Sequence, residues 1–135
     1  MTRVCNMQVI EKNVEIGDNL IQYEKDFPTD NYDGGDAVLA FNVQGLVAAT
    51  APVPVEINGT TVGSIFPYRY DPGDVQNEVE SHHFTQIINL EHGVLLDSGP
   101  NHMTIKAADF PGATGTNKFD DFTLTAVTIW YKVTV

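Results

Sequence analysis

The chain is poor in the residues that most chemistries require. It holds one cysteine, Cys5, in 135 residues, so no disulfide can close within it. Cys5 lies in an apolar–polar stretch and is expected to act as a small buried hydrophobe, an intermolecular bridge being the alternative. Basic residues are scarce, 7 Lys and Arg against 18 Asp and Glu, and the formal net charge is −11. Such a surface repels phosphate backbones and anionic headgroups, which argues against nucleic acid and membrane partners and for solubility and divalent cations. No run approaches the ~20 apolar residues of a membrane span. The N-terminal MTRVCNMQVIEK lacks the apolar core of a signal peptide. These features predict a soluble protein, in an extracellular or virion-associated setting reached without a visible signal.

Catalytic signatures are missing as well. There is no Gly-x-Ser-x-Gly elbow, no Gly-rich phosphate loop, no His-Glu-x-x-His and no Cys–His pair in a sensible context. Carboxylates are plentiful, but glycoside hydrolysis needs two at a set separation in a cleft, with an apolar wall raising one pKa. An enzyme is not expected. Helical periodicity is absent too, because no window of a dozen residues keeps an apolar i, i+3, i+4, i+7 stripe free of Gly and Pro.

What is present is alternation, and a hydrophobic fraction of 42%, enough for a core. A chain of this length fits one domain, residues 1–135, burying roughly 65–70% of its unfolded surface. Val4, Asn6, Gln8 and Ile10 mark one face of the first segment, and Cys5, Met7 and Val9 the other. Leu39, Phe41 and Val43 alternate, as do Val53, Val55 and Ile57, the residues of 84–90, and Met103 with Ile105. Gly, Pro, Asn and Asp clusters separate these runs. The pattern predicts an all-β antiparallel fold of about eight strands, a sandwich or a barrel, and the resemblance described below narrows it to a jelly-roll sandwich.

The final segment, DDFTLTAVTIWYKVTV, changes phase. Phe122, Leu124 and Ala126 keep one side; Val127, Ile129, Tyr131 and Val133 keep the other. Either a β-bulge lies near Ala126–Val127 or the strand is buried on both faces. In EINGTTVGSI, Asn58-Gly59-Thr60 matches an N-glycosylation acceptor. Asn-Gly between alternating runs is also a strong hairpin signal, since a type I′ turn needs positive φ at both central positions. The hairpin is the reading adopted.

INGTTVGSI, then LLDSGPNHMTIKA, then DDFTLTAVTIWY together resemble the jelly-roll sandwiches of the galactose-binding-like and carbohydrate-binding-module type. Those families show a hairpin of the form NG…vG, then L..G.N.i.i, then an acidic pair opening a last long strand. The match covers about residues 53–133. The resemblance implies glycan binding, and a structural calcium joining an early loop to the acidic pair, with Asp33, Asp36, Asp120 and Asp121 as its ligands. The loop DFPTDNYDGGDAV has no EF-hand spacing, and Asp, Asn and Gly also form turns for their own sake.

For ligand contacts the residues point to Tyr32, Tyr68, Arg69 and Tyr70, the last three in the long irregular stretch 68–82. Tyrosine offers rigid amphipathic area, and arginine a bidentate fork for carboxylates. Rings covering the sandwich edges would be the structural alternative. Trp130, the sole tryptophan, lies mid-strand between Ile129 and Tyr131 and is expected to pack in the core or on a face. His82 and His83 are adjacent and would point to opposite faces, while His92 and His102 stand alone. Two functions compete. One is a carbohydrate-binding or lectin-like module. The other is a structural assembly subunit, such as a virion decoration or tail component, with a protein partner or its own copies.

Overall fold

A computed structural model describes residues 2–47, 49, 51–67, 83–97, 99–109 and 118–134. Ten strands follow one another: β1 (Arg3–Ile16), β2 (Gln22–Phe27), β3 (Ala37–Gln44), β4 (Val53–Ile57), β5 (Thr60–Ile65), β6 (His83–Leu90), β7 (Asn101–Lys106), β8 (Ala108–Asp109), β9 (Phe119–Asp120) and β10 (Phe122–Thr134). One antiparallel sheet has the order β1-β10-β3-β6 and a second has β2-β7-β4-β5, while β8 and β9 form a two-residue ribbon. With that ribbon set aside, eight principal strands alternate between two four-stranded layers as a jelly roll requires. The alternating pattern thus gives the fold class that the sequence predicted.

Inward residues meet between the layers. Leu39, Phe41 and Val43 of β3, Val55 and Ile57 of β4, Met103 and Ile105 of β7, and Leu124 and Ile129 of β10 share one buried cluster. Burial of this apolar area is the main favourable term for the fold.

The phase switch in β10 is a bulge. Ala126 has φ 51° and is exposed, while Leu124 and Val127 on either side of it are buried. The β10–β3 register slips between Thr125 and Thr128. β10 is buried on one face, not two. Cys5, expected inside, is exposed, because the β1–β10 register sends odd-numbered residues of early β1 outward beside Lys132 and Trp130.

Asn58-Gly59 is the predicted turn, with φ 53° and 82°. A residue with a Cβ at Gly63, just beyond it, would meet Ile88 atoms at 2.9–3.1 Å, so the hairpin approaches β6 closely there. The Asn58 side chain is fully used. Its Nδ2 donates to Val94 O at 2.9 Å and to Asn101 Oδ1 at 3.0 Å, and its Oδ1 accepts from His102 N at 2.8 Å. Those bonds, rather than sugar attachment, account for this asparagine.

Asn101 is the centre of the same network and has no exposed surface. Its Nδ2 donates to Thr29 Oγ1 at 2.9 Å and Phe27 O at 3.3 Å, and its Oδ1 also accepts from Leu96 N at 2.7 Å. Thr29 Oγ1 in turn donates to Leu96 O at 2.8 Å. Two connections and the hairpin are thereby locked at one rim of the sandwich, with every polar atom of Asn101 satisfied, as a buried amide needs.

Candidate functional site

At one end of the first sheet, β1, β3, β6 and β10 surround a cleft of about 770 Å³. Its walls carry Arg3, Asp33, Asp36, Glu91, His92 and Lys132, and its floor carries Val38, Asn89 and Leu90. The loop that forms one wall is held by its own chemistry. Asn31 takes φ 61°. Asp33 N donates to Lys132 O at 3.0 Å, and Thr134 N donates to Asn31 O at 3.3 Å, which zips the loop to the end of β10. Asp33 Oδ1 accepts from Gly35 N at 2.8 Å, an Asx turn.

Asp33 is not a free ligand. Its side chain is only 3% exposed, and its Oδ2 forms an ion pair with Arg3 Nε at 2.9 Å. Tyr32 lies beneath the loop rather than on it. It is 7% exposed, its hydroxyl donates to Gly35 O, and its ring meets Tyr131 edge-to-face at 6.3 Å. Burial, then Asp33 and Asp36, raise its pKa above the usual phenol value. Tyr32 therefore shapes the wall and offers no surface for stacking. Tyr68, Arg69 and Tyr70 lie outside the described residues.

Of the two placements expected for Trp130, core or face, the structure gives the face. The residue points outward at 44% exposure, while its neighbours Ile129 and Tyr131 are buried. Across the sheet it pairs with Met7 on β1 and Val38 on β3, and Val38 pairs with Asn89 on β6. Neighbouring strands stand about 4.8 Å apart. The indole therefore adjoins the cleft floor, one strand away from Val38. The signal that could have located it was the bulge itself: with Val127, Ile129, Tyr131 and Val133 facing in, the even positions after Ala126 must face out.

The proposed calcium set is not brought together. Asp33 and Asp36 stand beside Lys132, near the end of β10. Asp120 and Asp121 stand at its start, roughly 35 Å away along an extended strand. Each acid there has a backbone partner. Asp120, 6% exposed, accepts from Ala49 N at 3.0 Å, and Asp121 Oδ1 accepts from Asp18 N at 2.7 Å. Turn and strand-end geometry separated what the motif had grouped. Among the described residues no group of three or more His, Cys, Asp or Glu side chains is placed to hold a metal ion.

His102 does not stand alone. On the outer face of the second sheet, its Nδ1 lies 2.5 Å from Asp26 Oδ1 and its Nε2 3.2 Å from Glu24 Oε1. The hydrogen bonds to Asp26 and Glu24 raise its pKa above the ordinary imidazole value. The cross-strand pairing Asp26–His102 put them together, a register that the sequence alone does not give. The two carboxylates engage opposite ring nitrogens, so they clamp the imidazolium and do not converge on a common ion.

No helix among the described residues is long and apolar enough to cross a membrane. No protein-family model matches the chain, and no curated protein sequence matches it. Solved structures do. Dimeric latent PorU from Porphyromonas gingivalis aligns at TM-score 0.54 and 12% identity, covering 97% of this chain and 13% of that one. A β-porphyranase of glycoside hydrolase family 86 from Bacteroides plebeius aligns at TM-score 0.52 and 14% identity, covering 98% of this chain and 21% of that one. A family 16 carbohydrate-binding module aligns at TM-score 0.46 and 12% identity, covering 87% of this chain and 73% of that one. The chain spans about a fifth or less of the length of the first two. The shared feature is the fold, an antiparallel β-sandwich.

Proposed function

We propose that the chain is a non-catalytic glycan-binding module, with Trp130 as its stacking surface and the adjoining cleft as its polar wall. One observation carries the reading: the sole tryptophan is exposed on the outer face of the first sheet, beside a cleft edged with hydrogen-bonding groups. An indole face packs against the C–H face of a sugar ring through apolar contact. Asn89, Asp36, Glu91, His92 and Lys132 then offer donors and acceptors for ring hydroxyls. The mixed signs of these groups suit a neutral polyhydroxy ligand better than a polyanion, which the net charge of −11 would repel. The recurrence of this fold inside a β-porphyranase is consistent with a carbohydrate setting. Tyr68, Arg69 and Tyr70 are proposed, on sequence grounds, as further ligand contacts.

A glycan array probed with the labelled protein tests the reading. Hits on neutral oligosaccharides that disappear with Trp130→Ala are the expected result. Hits retained by Trp130→Ala would move the site elsewhere, and the same hits lost with Tyr68→Ala would move it to the 68–82 stretch. An array without hits at high micromolar protein would refute glycan binding.

A further inference from the structure

The first strand poses a separate question. Among the described residues β1, 14 residues long, has a sheet partner, β10, on one side only, and no described strand pairs with the backbone N–H and C=O groups of its other side. Proteins blunt such edges with short strands, charges, prolines or bulges. The other edge strands follow that rule by length: β6 has 8 residues, and β2 and β5 have 6 each. β1 has a bulge only at Ile10, where the register slips between Val9 and Glu11. Before it, Arg3–Val9 forms a stretch of seven residues in unbroken register with β10 and without proline.

The charge of that stretch is unusual for this protein. In a chain with 18 acidic residues, the first ten residues carry no carboxylate, and Arg3 is their only charged side chain. Val4, Met7 and Val9 are 41%, 45% and 46% exposed, and Trp130 continues the apolar surface beside Met7. A long, largely apolar edge whose own residues carry no carboxylate, on an acidic molecule, is a place where another strand of this chain can approach.

We infer that β1 is a self-association edge, and that two copies pair antiparallel through Arg3–Val9 into one continuous eight-stranded sheet. A second copy fits for a definite reason. The seven residues overlap fully when Asn6 lies opposite Asn6 of the second copy. Arg3 then falls opposite Val9, so the only charge in the stretch meets no like charge, and Cys5 falls opposite Met7 on the same face. The pairing adds about six to eight backbone hydrogen bonds. It also places two Trp130 surfaces on one face of one sheet, which would let a repeating ligand engage both copies with avidity. The association itself is independent of any ligand.

Light scattering coupled to size exclusion, together with sedimentation velocity on the full chain, tests this. The expected result is twice the protomer mass, with association tightening as salt screens the mutual repulsion. Val9→Lys places a charge in the pairing face at an exposed site. It should leave the circular dichroism spectrum and melting temperature unchanged while weakening the dimer by ~100-fold or more. Met7→Cys should form a covalent dimer with Cys5 of the second copy under mild oxidation, whereas Cys5→Ser/Met7→Cys should not. A single protomer mass up to millimolar concentration would overturn the inference, and so would a dimer that survives Val9→Lys. A dimeric Met7→Cys protein that never cross-links would overturn the register.

Discussion

Asn101→Ala is the substitution from which the fold should suffer most per atom removed. The side chain is fully buried and makes four hydrogen bonds, two donated by Nδ2 and two accepted by Oδ1. A net contribution of about 1 kcal/mol each gives ~4 kcal/mol. Two partners keep a second bond, since Asn58 Nδ2 still reaches Val94 O and Thr29 Oγ1 still reaches Leu96 O. Leu96 N–H loses the acceptor it had. Leaving this half-buried N–H unsatisfied costs about 1 kcal/mol, which restores part of what the retained bonds spare. The working figure is therefore ~3–5 kcal/mol, or roughly 10–15 °C in melting temperature for a domain of this size. Urea titration with tryptophan fluorescence and circular dichroism measures it, with the m-value checked for constancy. Asn101→Asp adds a sign test. A buried carboxylate has its folded pKa raised above its unfolded value, so its penalty should be smallest in acid and grow as pH rises. A loss below ~1 kcal/mol for Asn101→Ala, or an Asn101→Asp penalty that grows in acid, would refute the reasoning.

Three other predictions follow from single residues. Tyr23 is 5% exposed, its Oη is buried without a hydrogen-bond partner among the described residues, and burial followed by Glu11 pushes its pKa up to about 12. Tyr23→Phe should therefore be neutral or stabilising by up to ~2 kcal/mol, and a loss above ~1 kcal/mol would contradict the packing. The unfolded chain ionises this phenol first, so wild-type stability should fall between pH 10 and 12, and less steeply in Tyr23→Phe. Ala126→Gly, at φ 51°, should gain up to ~1 kcal/mol by relieving the left-handed backbone, read by the same urea titration. For His102, whose folded pKa is raised, the favourable contribution is present below the ordinary imidazole pKa and lost as pH rises through the folded value. An NMR titration should show this elevated pKa, and Asp26→Asn should bring it down.

Strand content was legible because side-chain alternation is a property of one chain and one face. Leu39, Phe41 and Val43 declare their face without reference to any partner, and Asn58-Gly59 declares its turn through positive φ. The site was less legible because it depends on register. Nothing local in Trp130-Tyr131 tells which residue faces out until the bulge at Ala126 fixes the phase. His102 gains its carboxylates only through the β2–β7 pairing. The four aspartates grouped as a calcium set share a composition, but a thirteen-residue strand holds them apart. Cys5 was misplaced for a related reason: it faces outward beside Lys132, a side that only the β1–β10 register fixes. Asn101, by contrast, stood in the sequence motif as its asparagine, and only the structure supplied the reason for it.

The chain has one tryptophan, so its fluorescence reports a single place. Acrylamide quenching of Trp130, measured with and without a neutral oligosaccharide drawn from the array, tests the central claim most directly. Bound sugar covering the indole should cut the quenching constant at least twofold, blue-shift the emission, and saturate with the binding isotherm. Saturable binding that leaves quenching and emission unchanged would contradict Trp130 as the stacking surface.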